Sequence, residues 1–304
     1  MNRLTQLSIV IFIIAAIIFG HFEYTKGQMI DQSAPEIKMD SEEITVSVND
    51  EEDALLQGVT AADSRDGDVT DTLVVEDLST FLSFGRRLVK YGAFDKNMHV
   101  SNASRTIIYS DYYSPEFTLE APLSFPLETN SFMKNIFAYD CLDGDVTDFI
   151  KMTPLETIQE GVAGDYKVQF QVSNSAGDVS TFKAYLHMYD PSVNNGPQVQ
   201  MSHYLVYLNR GDSFDPTDYP ETVTISDKKY KIVDGYGNYG TKDINPEDEI
   251  VVGIEQIEID NEVDTDTPGT YRVRYSMTNA AEYEKDRYTG TVTMYVIVRE
   301  NARQ

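Results

Sequence analysis

One block of sequence occurs twice, and this repeat constrains the fold more than any other feature of the chain. Residues 63–71 read Asp-Ser-Arg-Asp-Gly-Asp-Val-Thr-Asp, and residues 140–148 read Asp-Cys-Leu-Asp-Gly-Asp-Val-Thr-Asp. A proline followed by alternating apolar residues precedes each copy, at Pro35 and Pro115, and occurs a third time at Pro197. Self-similarity over this distance indicates duplicated domains, and the prolines indicate three of them.

The end of each unit carries a second shared pattern. From Gly164 and again from Gly269 the sequence runs Gly-x-Tyr-x-Val-x-aromatic-x-apolar-x-Asn. The first unit keeps the same frame from Gly85 but has Arg87 in place of the first tyrosine. Apolar residues at every second position are typical of a strand with one buried face.

Composition and alternation together predict the fold class. Tyr (20) and Phe (14) are abundant while Trp is absent, and these residues with Val, Ile and Thr favour strands. The alternation of Ile44, Val46 and Val48 recurs at 182–188 and 292–298, and outside the N-terminus no sustained helical stripe is found. Several short strands per unit, separated by Gly, Asn, Asp and Pro turns, predict an all-β chain of three tandem sandwiches after an N-terminal helix.

The third unit is longer than the second between its opening proline and its closing glycine. The extra residues are predicted near 227–249, where the sequence is loop-like and the Asp-Gly-Asp-Val-Thr block is missing. Tyr230, Tyr236 and Tyr239 form a predicted contact loop, because aromatic side chains on a loop provide binding area at low entropic cost. The alternative is that these tyrosines pack against the sheet of their own unit.

The N-terminal segment predicts export. Residues 7–22 are apolar apart from Ser8 and His21 and follow Arg3, which is typical of a membrane-targeting segment. A helix of about sixteen residues spans about 24 Å, less than the ~30 Å hydrocarbon core, so length alone leaves a signal peptide and an anchor open. The flank after the segment lacks the small residues that a signal peptidase needs, which favours an uncleaved anchor. Secretion after signal cleavage is the alternative.

The N-terminal charge and the single cysteine predict where the units lie. Positive charge before the apolar run places the N-terminus in the cytoplasm and the later domains outside. Cys141 is the only cysteine, so the units fold without internal disulfides, and this favours a bacterial cell membrane over an animal cell surface. The predicted organisation is a cytoplasmic N-terminus (1–6), a signal anchor (7–22), a linker (23–33) and three domains at 34–113, 114–192 and 193–304.

The net charge limits the partners. A formal charge of −26 and a pI near 4.3 argue against nucleic acid, whose phosphates would be repelled. The remaining predicted partners are the membrane, through the N-terminal helix, and a surface polymer or protein of unknown identity.

The repeated patterns resemble a known family. The Pro-x-apolar start, the Ala-x-Asp-x-x-Asp-Gly-Asp-Val-Thr block at 61–70 and 138–147, and the closing strand pattern are similar to bacterial surface immunoglobulin-like domains, a module also found in pesticidal crystal proteins. The similarity covers most of residues 34–300. It implies three immunoglobulin-like sandwiches that serve as spacer or adhesion modules, and it implies no catalytic residue. Arg87 and the missing acidic block of the third unit depart from the family pattern.

The acidic block has two interpretations. Asp-Gly sequences most often cap turns through their own backbone N–H groups, and we favour this structural role. Several carboxylates on a flexible loop are also what calcium prefers, so a calcium site is the alternative and the only cofactor considered. Its candidate ligands in the two copies are Asp63, Asp66, Asp68, Asp71, Asp140, Asp143, Asp145 and Asp148.

No catalytic motif is present. The histidines stand singly, and the sequence contains no nucleophile elbow and no glycine-rich phosphate loop. We therefore expect a non-catalytic stalk or adhesion protein on the cell surface. The alternative is an accessory subunit whose extracellular domains dock on a membrane-bound machine for polymer assembly or export.

Overall fold

The computed structural model describes residues 3–29, 33–129, 131–193, 196–234, 251–279 and 288–300. Apart from the N-terminal helix and one short α-helix, the regular structure in these ranges is almost entirely β-strand. The strands form pairs of sheets, so the predicted all-β sandwich fold is confirmed.

Helix α1 spans Arg3–Met29 and is longer than the apolar run that predicts it. Its most apolar window, Ser8–Thr25, has a mean hydropathy of 1.8, and its side chains are exposed. Twenty-seven residues at 1.5 Å each give about 40 Å, enough to cross a ~30 Å hydrocarbon core. By length and composition α1 is able to span a membrane. The uncleaved anchor stays a prediction, with a cleaved signal as its alternative.

The first sandwich contains seven strands and one short helix in its described residues. Strands β1, β3 and β4 form one sheet, and the order β2-β7-β6-β5 forms the other, with β2 parallel to β7. The elements are β1 (Glu36–Met39), β2 (Glu43–Val46), α2 (Glu52–Leu55), β3 (Val59–Asp63), β4 (Gly67–Asp68), β5 (Val74–Leu78), β6 (Arg86–Phe94) and β7 (Val100–Tyr109).

The second sandwich repeats this arrangement. Its sheets have the orders β8-β10-β11 and β12-β13-β14-β9, and β9 is parallel to β14. The strands are β8 (Glu116–Leu119), β9 (Ser124–Pro126), β10 (Ile136–Asp140), β11 (Gly144–Asp145), β12 (Lys151–Pro154), β13 (Gly164–Ser173) and β14 (Val179–Tyr189).

The third sandwich has the same plan with one additional described strand. Its sheets have the orders β15-β17-β18-β19 and β20-β21-β22-β16. The strands are β15 (Gln198–Met201), β16 (Leu205–Asn209), β17 (Pro220–Ile225), β18 (Lys228–Val233), β19 (Val251–Gly253), β20 (Glu258–Asn261), β21 (Gly269–Thr278) and β22 (Thr289–Arg299).

The additional strand, β19, follows the 227–249 stretch in which the sequence predicts extra residues. A tight turn at Ser226 and Asp227, both with positive φ (45° and 66°), joins β17 to β18 in place of the acidic block. Strand β19 then pairs in parallel with β18. The acidic block is therefore absent at the β17–β18 turn, and the additional strand comes after β18 in the chain.

Each sandwich encloses its own apolar core. The alternation predicted for β14 and β22 is confirmed, because every second residue from Phe182 to Met188 and from Val292 to Val298 is buried. Full burial of an apolar side chain of this size contributes about 1.5–3 kcal/mol. Fully buried large side chains include Tyr91 and Ile107 in the first sandwich, Phe170, Phe182 and Leu186 in the second, and Tyr275 and Met294 in the third.

The first sandwich has a buried arginine in its core. Arg105 pairs across the sheet with Val89, at the register position that Ala184 and Met294 occupy in the other two sandwiches. It is 2% exposed, and its guanidinium donates to the Tyr91 hydroxyl at 2.7 Å and to backbone carbonyls after α2. This charge is held by hydrogen bonds, as a buried charge must be.

The chain divides into two compact units, Met1–Tyr112 and Tyr113–Gln304. The first unit contains α1 and the first sandwich. The second unit contains both remaining sandwiches.

Candidate binding site at the junction of the second and third sandwiches

The acidic blocks form turns in which the leading aspartate is buried. A side-chain oxygen of Asp63 accepts from the backbone N–H groups of Arg65 (2.7 Å) and Asp66 (2.9 Å). Asp140 accepts in the same way from Leu142 (2.9 Å) and Asp143 (3.0 Å). Each carboxylate thus satisfies donors that the turn itself creates. These backbone hydrogen bonds, led by the one from Asp66, lower the pKa of Asp63.

The third aspartate of each block is exposed, unlike the first, and accepts from the threonine two residues later. Asp68 accepts from the backbone N–H of Thr70 at 2.9 Å, and Asp145 accepts from Thr147 at 3.0 Å. Hydrogen bonds from these threonines, the side-chain bond first, lower the pKa of both carboxyls.

The middle aspartates link each turn to a distant loop. A carboxylate oxygen of Asp66 accepts from the Lys96 backbone N–H at 2.9 Å, and Asp143 accepts from the Ser175 backbone at 2.5 Å. Asp71 and Asp148 are exposed at the short 3-10 turns that follow the blocks.

Of the predicted calcium ligands, Asp63, Asp68, Asp140 and Asp145 therefore accept hydrogen bonds within their own turns. Among the residues that the structure describes, no group of three or more His, Cys, Asp or Glu side chains is arranged to hold a metal ion. The structural role of the block is visible in these contacts, and calcium binding stays a prediction.

The predicted tyrosine contact loop is only partly described. Tyr230 lies on β18 opposite Val223 and packs, half-buried, against the core of the third sandwich. Tyr236 and Tyr239 lie outside the described residues.

A different surface connects the two sandwiches of the second unit, and it begins with a break in strand alternation. In β22, Met294, Tyr295 and Val296 are buried in succession. Successive side chains of a strand point to opposite faces, so Tyr295 is buried on the outer face of its sheet. It is 2% exposed and belongs to the core cluster of the second sandwich, together with Leu205 of β16.

The hydroxyl groups of two third-sandwich tyrosines bond to strand edges of the second sandwich. The Tyr295 hydroxyl accepts from the Tyr185 N–H at 2.8 Å and donates to its carbonyl at 3.1 Å. The Tyr207 hydroxyl accepts from the backbone N–H of Phe117 at 2.7 Å, on the edge strand β8. Strand edges carry unpaired backbone groups, and the tyrosines satisfy them while the Tyr295 ring contacts Phe182 edge-on at 5.1 Å.

A charged pair completes this contact. The Arg299 guanidinium lies 3.8 Å from the centre of the Tyr207 ring and 2.6 Å from the Glu116 carboxylate. Burial is the main cause that raises the pKa of Tyr207, to about 12. The phenol therefore stays neutral and keeps its hydrogen bond at neutral pH.

A cleft of about 290 Å³ opens beside this contact, and we call it the junction cleft. Its centre is the half-buried ring of Tyr185, with the Arg272 guanidinium 4.6 Å and the Lys167 ammonium 5.7 Å from the ring centre. Arg272 also pairs with Glu262 at 2.8 Å. The lining residues are Leu155, Lys167, Val168, Lys183, Ala184, Tyr185, Glu262, Thr270, Tyr271, Arg272 and Tyr295.

A smaller cleft of about 150 Å³ is also lined by Tyr185 and Tyr295. It contains the pair Asp165–His187, whose Oδ1 and Nδ1 lie 2.7 Å apart. The hydrogen bond from His187 lowers the pKa of Asp165. Arg274 lies at the same cleft and pairs with Asp260 at 3.1 Å.

The sequence contains a signal for this site that is visible only when equivalent positions of the second and third units are compared. Lys167 faces Tyr185 across β13 and β14, and Arg272 faces Tyr295 at the equivalent position of β21 and β22. The same cation and tyrosine therefore repeat on the outer face of both sheets. A tyrosine beside a cation on an outer face is typical of a contact surface rather than of a solvated one.

Comparison with known proteins gives no family assignment, since no family model matches the chain. A stretch of 118 residues is 32% identical to an uncharacterized 81.3 kDa protein of Acholeplasma phage L2. The matched stretch covers 39% of this chain and 15% of the phage protein. The chain thus corresponds to a small part of the phage protein's length.

The chain is also similar to solved structures, among them the following two. One contains the CBM51-2 and INT domains of Clostridium perfringens ZmpB in complex with GlcNAc, with 22% identity, a TM-score of 0.21 and coverage of 49% of this chain and 26% of that one. Another is the extracellular domain of protocadherin GammaB4, with 11% identity, a TM-score of 0.20 and coverage of 88% and 50%. At these TM-scores the similarities support no functional conclusion.

Proposed function

We propose that this chain is a membrane-anchored surface protein of a bacterium, with extracellular immunoglobulin-like sandwiches that bind a ligand without catalysis. The apolar helix Arg3–Met29, with Arg3 before its apolar window, supports an N-terminal anchor with the sandwiches outside. The resemblance of the repeated blocks to bacterial surface modules supports the same role.

The junction cleft carries this proposal. It combines an accessible aromatic ring, Tyr185, with cations held by ion pairs and ring contacts. Such concave surfaces with a few convergent polar groups are typical of ligand sites. The two sandwiches share a core at Tyr295, which supports pre-formed cleft walls and a lower entropic penalty of binding.

A crosslinking pull-down from intact cells tests the proposal. The full chain is expected to capture a surface polymer or protein, and Tyr185→Ser is expected to reduce this capture by about tenfold because it removes the central ring of the cleft. Tyr139→Ser is the matched control, since Tyr139 is a 54% exposed tyrosine of the same sandwich.

The same experiment separates the alternatives. Capture of integral membrane proteins, with no loss in Tyr185→Ser, would support the accessory-subunit function and contradict a binding role for the cleft. Hydrolysis or modification of the captured polymer by the purified chain would contradict a non-catalytic role.

A further inference from the structure

We propose that the junction cleft binds an anionic polysaccharide, a sugar chain that carries carboxylate or phosphate groups. This inference rests on the proposed function and names the chemical class of its ligand.

The first argument is the local charge. The chain has 24 Lys and Arg against 50 Asp and Glu, yet the cleft is lined by Lys167, Lys183 and Arg272 with Glu262 as its one lining carboxylate. The Glu156 carboxylate lies nearby, where it accepts from the Lys167 backbone N–H at 2.5 Å. The lining therefore has an excess of positive charge on an otherwise acidic protein, and this charge attracts an anionic group to the cleft.

The second argument is how firmly Arg272 is placed. Its side chain is 17% exposed, is bonded to Glu262, and lies over the Tyr185 ring. Its Nε atom is buried and has no hydrogen-bond partner among the described atoms. Guanidinium groups that are pre-organised in this way bind carboxylate and phosphate oxygens well, because little side-chain entropy is lost on binding. Lys183 is exposed at the same cleft and adds a second cation.

The third argument is the apolar part of the lining. The rings of Tyr185 and Tyr271 and the Leu155 side chain lie beside the cations. The C–H face of a sugar ring packs on an aromatic face, while its substituents reach the cations. A volume of about 290 Å³ is near the lower limit of ~300 Å³ for ligand sites, so the cleft accommodates a short segment of a chain.

Binding of defined polymers to the full chain in lipid nanodiscs tests this proposal. The probes are polygalacturonate for carboxylate, dextran phosphate for phosphate, and unmodified dextran as the neutral sugar chain. We expect at least one anionic probe to bind about tenfold or more tightly than dextran, and its affinity to fall as salt is added. Comparison of the two anionic probes identifies which group the cleft prefers.

Charge variants locate the binding. Lys183→Gln and Arg272→Gln are each expected to weaken binding of the anionic probe by about fivefold to tenfold. Lys151→Gln, which removes an exposed cation of the same sandwich outside the cleft lining, is the matched control and is expected to change little. Thermal melting of each variant shows that it is folded. Lys183→Gln, at an exposed position, keeps the test valid if Arg272→Gln destabilises the junction.

The other outcomes are distinguishable. Equal binding of dextran and the anionic probes, lost in Tyr185→Ser and unchanged in the charge variants, would overturn the anionic ligand and leave the proposed binding function standing. Anionic binding that Lys151→Gln weakens as much as Lys183→Gln would mean diffuse attraction and would overturn the site. No polymer binding together with no capture in the cell pull-down would overturn both proposals.

Discussion

Tyr185 and Tyr295 occupy equivalent positions on repeated strands, yet they lie in different environments. Each pairs across its sheet with a cation, Lys167 for Tyr185 and Arg272 for Tyr295. Tyr185 is half-buried and forms the centre of the junction cleft, whereas Tyr295 is 2% exposed and enters the core of the neighbouring sandwich. The same residue in the same local frame thus serves as a cleft wall in one copy and as a core residue in the next. The difference comes from docking and not from the strand that carries the tyrosine.

The largest expected effect comes from replacing each of these two tyrosines in turn. Tyr295→Ala should lower the free energy of unfolding of the second unit by about 3–5 kcal/mol, because it leaves a cavity in a shared core and unpaired groups on Tyr185. Tyr185→Ala should lower it by about 1 kcal/mol or less, as expected for a half-exposed side chain. Urea unfolding of the full chain measures both. Equal losses for the two variants would contradict the difference in environment, and Tyr295→Phe isolates the hydroxyl.

The next effect extends the comparison to the first sandwich. Arg105→Ala should lower the free energy of unfolding of that sandwich by about 3 kcal/mol, since the Tyr91 hydroxyl and two carbonyls lose a charged donor. Arg105→Met, the residue at the equivalent position of the third sandwich, keeps most of the volume and should lose less. Lys38→Ala, at a 66% exposed side chain, is the control. A loss with Arg105→Ala no larger than with Lys38→Ala would show that the buried network contributes nothing.

A smaller effect sharpens the interpretation of the acidic blocks. Asp140→Ala should lower the melting stability of the second sandwich by about 1–3 kcal/mol, because two backbone N–H groups and the Asn174 amide lose their acceptor. If the block only forms a turn, calcium and chelator leave the melting midpoint of the wild-type chain unchanged. A midpoint that rises with calcium in the wild type but not in Asp140→Ala would establish the metal site.

The smallest effect concerns pH at the junction. The folded-state pKa of Tyr207 is about 12, raised by burial above its usual value of 10. A phenol with a raised pKa contributes stability that is fully present below about pH 10 and is lost as pH rises through the folded pKa. Unfolding measured at about pH 9 and pH 11 should show a steeper loss for the wild type than for Tyr207→Phe. The same slope in both would show that Tyr207 is not the group responsible.

Much of the fold could be predicted from the sequence because it depends on short-range patterns. Alternation at 182–188 and 292–298 predicts β14 and β22, and the missing block predicts the altered hairpin of the third sandwich. Tyr295 could not be placed in this way. Its neighbours alternate normally, and its burial depends on a second sheet that lies more than a hundred residues earlier in the chain. The sequence likewise predicts a surface position for Arg105. Its burial depends on hydrogen bonds to Leu55, Gln57 and Tyr91, which only the folded chain places around it.

The sequence by itself determined the repeated architecture, the N-terminal apolar helix and the turn chemistry of the acidic blocks, since each depends on residues a few positions apart. Only the tertiary structure decided that the second and third sandwiches lie in one compact unit, with a cleft lined by tyrosines and cations where they meet. The physical reason is that the Tyr207 and Tyr295 hydroxyl groups accept hydrogen bonds from strand backbone of the second sandwich, and that Tyr295 also packs in its core. These contacts join residues far apart in the chain, so the strand alternation within either sandwich does not predict them.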